Sequence, residues 1–271
     1  MTWTIPLVFD VAPDGTAFDL IGPVDAPCVV LIHGLGLSRA LWDAHLPAFA
    51  GFKVLRYDLY GHGESAPWSG VTSLTVYADQ IAALMDHLGI AQAHIVGFSI
   101  GGMINRRFAL DNPNKVLSLA ILNSPHDRGA EAQRAVEARA IAAREQGAFA
   151  TFDAAVKRWF TPEHIATGKE PTLVRAWREQ VDNESYAQTS WVLAHGVREL
   201  IAPDPAIAVP TLVMTCENDV GSTPQMSFDI AAQIEGAEVM IVPKLQHLGL
   251  LEDVAAYTDP ILEFLNARHL N

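Results

Sequence analysis

Six residues in the middle of the chain, Gly97-Phe98-Ser99-Ile100-Gly101-Gly102, have the types and spacing of a serine nucleophile carried on a tight backbone turn. They follow the apolar run AHIVGF (93–98) and precede MINRRFALDNP, so the G-x-S-x-G pattern falls where a strand reverses into a helix. Such a reversal forces the serine into a strained conformation with Oγ exposed, and glycines on either side let the backbones pass closely. The helix N-terminus adds N–H groups and partial positive charge for a developing oxyanion. A serine hydroxyl is a weak nucleophile and needs a base oriented by a third group. His247, in PKLQHLGLLED, and Asp219, in TCENDVGS, each lie just past an apolar run, at the sheet edge where α/β proteins place their sites. Ser99, Asp219 and His247 also follow one another in the chain order of a known triad class. A lone loop histidine or aspartate is most simply a solvated surface group, but here type, position and order agree three times. Glu217 is the rival acid; Asp219 is preferred because Glu217 lies closer to the strand and Asp219 is better placed to reach across the loop.

A fourth element is His33-Gly34-Leu35-Gly36 after CVVLI. Its small residues let the backbone approach a ligand, and the Leu35 amide is expected to pair with that of Ile100 as an oxyanion hole, where each donor is worth ~3 kcal/mol in catalysis. His33 is expected to be a structural hydrogen-bonding residue of this turn, since His247 fills the role of base. GLGLSR (34–39) and GHGESA (61–66) imitate dinucleotide loops, yet Asp79 is a poor match for the required acid and the serine constellation has no use for such a cofactor. No G-x-x-x-x-G-K-[ST], H-E-x-x-H or C-x-x-C is present, so neither a metal nor an organic cofactor is expected.

These loops need a scaffold that brings strand ends together. CVVLIH (28–33), KVLRYDL (53–59), AHIVGF (93–98), VLSLAILN (116–123), PTLVMTC (210–216) and AEVMIVP (237–243) read as strands buried on both faces, because their hydrophobicity is continuous rather than alternating. Between them, TSLTVYADQIAALMDHLG places Leu74, Tyr77, Ile81, Leu84 and Leu88 on one helical face, with Gly89 as a stop. Repeated strand–helix–strand units predict an α/β fold with a mostly parallel sheet flanked by helices. WTIPLVFDVAPDGTAFDLIG reads as a hairpin turning at Asp14-Gly15. One interval, 125–205, lacks a convincing strand but contains the strongly helical RGAEAQRAVEARAIAAREQG and three of the six tryptophans. A loop of that length is improbable in a compact domain, so a helical cap insertion is expected over 125–205, with 1–124 and 206–271 forming the core. Such an insertion either builds its own small core or forms a lid over a pocket; Trp159, Trp191 and the nearby His126 are the candidate substrate contacts.

Composition narrows the classes further. The chain of 271 residues has 18 basic and 31 acidic side chains, a net charge of −13, which provides no field to draw it to nucleic acid. Its two cysteines, Cys28 and Cys216, support neither a disulfide framework nor a zinc knuckle. The start MTWTIPLVFD lacks the basic and apolar regions of a secretory signal. The longest uncharged run, 87–105, carries four glycines, two histidines and a serine, a poor membrane span. A cytoplasmic protein without a membrane partner is expected. The sequence does not fix the assembly state, and a homodimer is carried as an open expectation.

With HGLG (33–36), DLYGHGES (58–65), GFSIGG (97–102) and the Asp219 and His247 loops in view, the chain resembles the α/β-hydrolase fold superfamily over nearly its whole length. Within it, HGLGLSRALWD, the GSTPQMS stretch and the single helical cap look most like 3-oxoadipate enol-lactonases and related small-lactone esterases. The resemblance implies a carboxylic ester hydrolase with Ser99 as nucleophile. Aspartate-nucleophile dehalogenases and epoxide hydrolases are excluded by Ser99, and C–C bond hydrolases of the meta-cleavage-product type often carry Asn where this chain has Phe98. An enol-lactone bears a carboxylate, so the resemblance calls for a local cation such as Arg158, Arg175 or Arg178 in this acidic chain.

The expected function is therefore cleavage of a small ester or lactone through a Ser-His-Asp triad and an acyl-enzyme. Two alternatives stay open. A C–C bond hydrolase would use the same triad on a dienol, and a non-catalytic ligand receptor would keep the fold without turnover.

Overall fold

In a computed structural model, residues 9–268 are described. Eight strands form one sheet: β1 (Asp10–Val11), β2 (Ala17–Ile21), β3 (Cys28–Ile32), β4 (Lys53–Tyr57), β5 (Ala93–Phe98), β6 (Val116–Leu122), β7 (Thr211–Cys216) and β8 (Glu238–Val242). Their spatial order is β1-β2-β4-β3-β5-β6-β7-β8. The first two pairings are antiparallel and all the others parallel. The hairpin predicted at Asp14-Gly15 joins β1 to β2, with Gly15 at φ +86° and its amide donating to Ala12 O at 2.9 Å; the part of that reading on residues 3–8 lies outside the described residues.

The helices are α1 (Leu74–His87), α2 (Ile100–Asp111), α3 (Gly129–Gln146), α4 (Phe152–Trp159), α5 (Pro162–Thr167), α6 (Lys169–Glu179), α7 (Asn183–His195), α8 (Pro224–Ala231), α9 (Gly249–Glu252) and α10 (Ala255–Asn266). Continuous apolar runs become two-sided strands because each face meets its own helix layer. Val30, Ile32, Ile95, Leu119 and Ile121 pack with Tyr77 and Ile81 of α1 and with Met103 and Phe108 of α2. Their neighbours in sequence, Val29, Leu31, Val96, Ala120 and Leu122, pack with Tyr257, Ile261 and Phe264 of α10 and with Trp42. The period of two along a strand does the sorting. Helix α1 has the predicted face buried at Leu74, Tyr77, Ile81 and Leu84, with Leu88 half-buried; Ser73 caps its start by accepting from the Val76 amide at 3.2 Å.

The strand predicted over 237–243 is present but is not covered on both faces. β8 is the sheet edge, and along it Glu238 and Met240 are exposed while only Val242 is buried. Hydrophobicity alone does not distinguish an edge strand with one packed face from a central one.

Between β6 and β7 the chain runs through α3 to α7 and a short 3-10 segment, with no strand among the described residues. These helices do not stand off from the sheet. Phe160, Val174 and Trp177 join the core on the α10 side, Val192 and Val197 join the α1 side, and Ala143, Ala148, Val181 and Tyr186 pack as a small cluster against Leu35. Among the described residues, no helix is long and apolar enough to cross a membrane.

Candidate active site

Ser99 sits between the end of β5 and the first turn of α2 at φ 58°, ψ −115°, a region costly for any residue with a Cβ. The surrounding glycines explain how the turn closes. A Cβ on Gly97 would lie 2.1 Å from Gly101 O, and one on Gly101 would lie 2.7 Å from Ile32 O. The helix start is thus pressed against both its own strand and the end of β3. Ser99 is only 7% exposed: it faces a cleft whose far wall is formed by α3, α4, α6 and α7.

His247 and Asp219 meet from the loops after β8 and β7, with Nδ1 of His247 donating to Asp219 Oδ2 at 2.7 Å. Asp219 is buried and every lone-pair direction has a donor. The amides of Gly221 and Ser222 reach Oδ1 at 2.8 and 2.9 Å, and Asn123 Nδ2 reaches Oδ2 at 3.0 Å. Burial pushes the Asp219 carboxyl upward, but the charge of His247, its hydrogen bond, and those of Asn123 and the Ser222 amide outweigh it and hold the group below the usual carboxylate range. Glu217 is exposed and accepts from the Lys244 amide at 2.8 Å instead. The His247 imidazole packs on Phe98, the residue before Ser99, with ring centroids 5.1 Å apart. Next to it, the Leu248 amide donates to Trp159 O at 2.9 Å, fastening the loop to α4.

A cleft with about 820 Å³ of empty space, part of it open to solvent, brings Ser99, Asp219 and His247 to one wall together with Leu35. Leu35 follows β3 and Ile100 opens α2; among the described residues neither amide is taken by an internal acceptor. The profile of the alpha/beta hydrolase fold family matches residues 27–254. The chain belongs to the α/β-hydrolase fold family. It is 32% identical over 207 residues to "3-oxoadipate enol-lactonase 2" of Acinetobacter baylyi, covering 74% of this chain and 75% of that one. It is 26% identical over 226 residues to "(E)-2-((N-methylformamido)methylene)succinate hydrolase" of the same organism, covering 81% and 83%. The crystal structure of the enol-lactonase from Burkholderia xenovorans superposes with a TM-score of 0.84 at 28% identity, covering 96% of this chain and all (100%) of that one.

Several sequence expectations for this α/β hydrolase are corrected by the geometry. His126 does not line the cleft: its Nε2 accepts from Gln233 Nε2 at 2.6 Å, on the side of the chain facing α8. Trp191 is 47% exposed and stacks on His195 at 4.1 Å, because α7 turns its neighbours Ser190 and Leu193 inward. Trp159 does line the cleft. Of the three arginines considered, Arg158 and Arg178 line it, whereas Arg175 pairs with Asp153 at 3.0 Å on the outer surface. His33 is buried and structural; the Leu59 amide donates to its Nε2 at 2.9 Å, so Nδ1 carries the proton and donates to Gly34 O at 2.8 Å. Gly36 at φ +71° makes room for the Arg178 guanidinium, not for a ligand. In the GHGES turn, the anion position is filled from within: the Asp58 carboxylate accepts from the Arg39 and Glu64 amides at 2.7 and 3.0 Å.

The residues missed are Arg128 and Arg139, which line the cleft, and Asn123 and Tyr257, which stand behind Asp219. Tyr257 Oη donates to Asn123 Oδ1 at 2.7 Å and accepts from the Cys216 thiol at 2.9 Å, which burial keeps protonated by raising it to about 11. This chain of bonds fixes the amide that holds Asp219. Its members are far apart in sequence, and only the polar Asn123 at a strand end gave any signal.

Proposed function

We propose that this α/β hydrolase is a serine hydrolase of small carboxylic esters and lactones, with Ser99, His247 and Asp219 as its triad. The observation that carries the reading is the 2.7 Å bond from His247 Nδ1 to a buried, fully satisfied Asp219 carboxylate, in a cleft shared with a serine on a strained turn. With Nδ1 donating to Asp219, Nε2 is the free lone pair and takes the Ser99 proton as Oγ attacks the carbonyl carbon. Asp219 holds that tautomer and stabilises the imidazolium. The Leu35 and Ile100 amides receive the tetrahedral oxyanion. The oxyanion collapses, the C–O bond to the leaving group breaks, and His247 returns its proton to that oxygen. Water then repeats the sequence on the acyl-enzyme and frees the acid. The helices of 125–205 act as a cap that limits substrate length. The printed activities of the relatives, an enol-lactonase among them, support an acyl substrate.

The test is Ser99→Ala together with labelling by a fluorophosphonate. Turnover of esters and lactones is expected to fall by several orders of magnitude, and labelling to disappear, in a protein that still unfolds cooperatively. A folded Ser99→Ala protein with near-normal activity would sink the assignment. A wild-type chain that takes no label would favour a receptor.

A further inference from the structure

The space over Ser99 has two arms. Besides the cleft already described, a second cavity with about 390 Å³ of empty space, part of it open to solvent, is walled by Gly34, Leu37, Phe98 and Leu248. Both arms reach Leu35, Ser99 and His247. Among the described residues, two side chains from the helices of 125–205 border both: Trp159 and Leu193. The position of Trp159 therefore sets how much room each arm gives to the groups on either side of a scissile bond.

The backbone that carries Trp159 is held at three points. Trp159 ends α4, and its carbonyl accepts from the Leu248 amide at 2.9 Å. Phe160 is fully buried in the core on the α10 side. Thr161 is gripped by Glu252: one carboxylate oxygen accepts from the Thr161 amide at 2.8 Å and the other from its hydroxyl at 2.7 Å. That second oxygen also lies 2.9 Å from His164 Nδ1 on α5. The Glu252 side chain is only 1% exposed, so these donors replace the water a carboxylate requires. Thr161 stands at the N-cap of α5, where a threonine ordinarily accepts from an amide of the first turn. Its hydroxyl makes no such bond and turns to Glu252 instead. A local preference is given up for a partner 91 residues away. Glu252 is the last residue of α9, which starts two residues after His247. It borders neither arm itself. What it does is join the helix that follows His247 to the segment that carries Trp159.

We propose that Glu252 is a positioning residue that sets substrate size: through Thr161 it fixes Trp159 as the divider between the two arms, so that short acyl and leaving groups fit and a longer chain does not. The inference rests on the serine-hydrolase reading for the reaction that reports it, but not for the hold on Trp159. Without the carboxylate, segment 159–161 keeps only the Leu248 bond and the Phe160 anchor, and Trp159 is free to withdraw and merge the arms.

The test is kcat/KM for p-nitrophenyl butyrate and octanoate in wild type, Glu252→Ala, Glu252→Gln, Thr161→Val, Trp159→Ala and the Glu252→Ala/Trp159→Ala double variant. In Glu252→Ala the octanoate-to-butyrate ratio is expected to rise about tenfold, mainly through a lower KM for octanoate. Glu252→Gln keeps an acceptor oxygen for the Thr161 amide, and Thr161→Val keeps that amide while losing the hydroxyl, so each should move the ratio by less. Trp159→Ala should raise the ratio too, and the double variant should go no further, because the two side chains act as one unit. A folded Glu252→Ala protein with an unchanged ratio, or with kcat lowered equally on both esters, overturns the proposal. So does a double variant in which the two effects multiply. Exposure of Trp159 is read separately by acrylamide quenching, as the difference between each protein and its Trp159→Phe counterpart, and it should rise in Glu252→Ala. If no ester or lactone is cleaved and Ser99 takes no fluorophosphonate, but this exposure rises, the hydrolase reading falls and the hold on Trp159 stands. An active enzyme with exposure unchanged overturns the hold alone. Should Glu252→Ala fail to fold, Glu252→Gln and Thr161→Val decide the question, and a ratio moved by neither overturns it.

Discussion

Acidification from pH 7.5 to 5.0 should remove roughly 6 kcal/mol of folding stability, a large share of the ~5–15 kcal/mol typical of a domain. The source is three buried histidines. Burial lowers His33 and His45 to about 4 and His62 to about 3, His62 further through His33. Each stays neutral in the folded chain while its unfolded counterpart protonates near ~6.5. Because the native value is the lower one, the stabilisation is complete above ~6.5 and drains away as pH falls towards 4. In that window each group contributes a slope of ~1.4 kcal/mol per pH unit, and the loss integrated to pH 5.0 is ~2 kcal/mol per histidine. His126, also lowered by burial and then by Arg106, adds in the same direction. The depressed Asp219 carboxyl acts with the same sign, but below this window. Guanidinium unfolding followed by tryptophan fluorescence at pH 7.5, 6.5, 5.5 and 5.0 measures the loss. His45→Gln should reduce the slope by about a third. A total loss under ~2 kcal/mol would show that these imidazoles are not held neutral by burial, and the reasoning would fail.

Asp219→Asn should lower kcat by up to ~10⁴, because it removes the charge facing the imidazolium and favours the wrong tautomer, while Glu217→Gln should be mild; steady-state kinetics on both would expose a reversed order. Across p-nitrophenyl esters from acetate to palmitate, kcat/KM should pass its maximum within a few carbons if the helices over Ser99 limit substrate length as proposed; a maximum at ten carbons or beyond, with lactones inert, would refute that limit. Gly36→Ala should destabilise the fold by ~1–3 kcal/mol and impair turnover, because φ is +71° and the new Cβ would meet the Arg178 guanidinium at 2.6 Å; a thermal-denaturation midpoint equal to wild type would contradict that contact.

The parts of this molecule that could be read from one dimension are those set by local backbone physics. A strand, a serine between glycines and a helix leave few ways to close the turn, and Ser99 at φ 58° with Gly97 and Gly101 in backbone contact is what that pattern requires. Unbroken apolar runs required a sheet covered on two sides, and the order Ser99, Asp219, His247 followed the order of the strands that carry them. What depended on the tertiary structure was every quantity set by packing between distant segments. A small rotation of α7 decides that Ser190 and Leu193, rather than Trp191, face the cleft, and periodicity does not supply that angle. The edge position of β8 depends on which strand has no neighbour, not on its own hydrophobicity. Asn123 and Tyr257, 134 residues apart, become one hydrogen-bonded unit only when α10 lies against the sheet. The four arginines of the cleft are ordinary surface-type residues in sequence. Three helices and the segment leading into α3 must fold over the strand ends before these side chains line one cleft, and nothing in their sequence spacing announces that meeting.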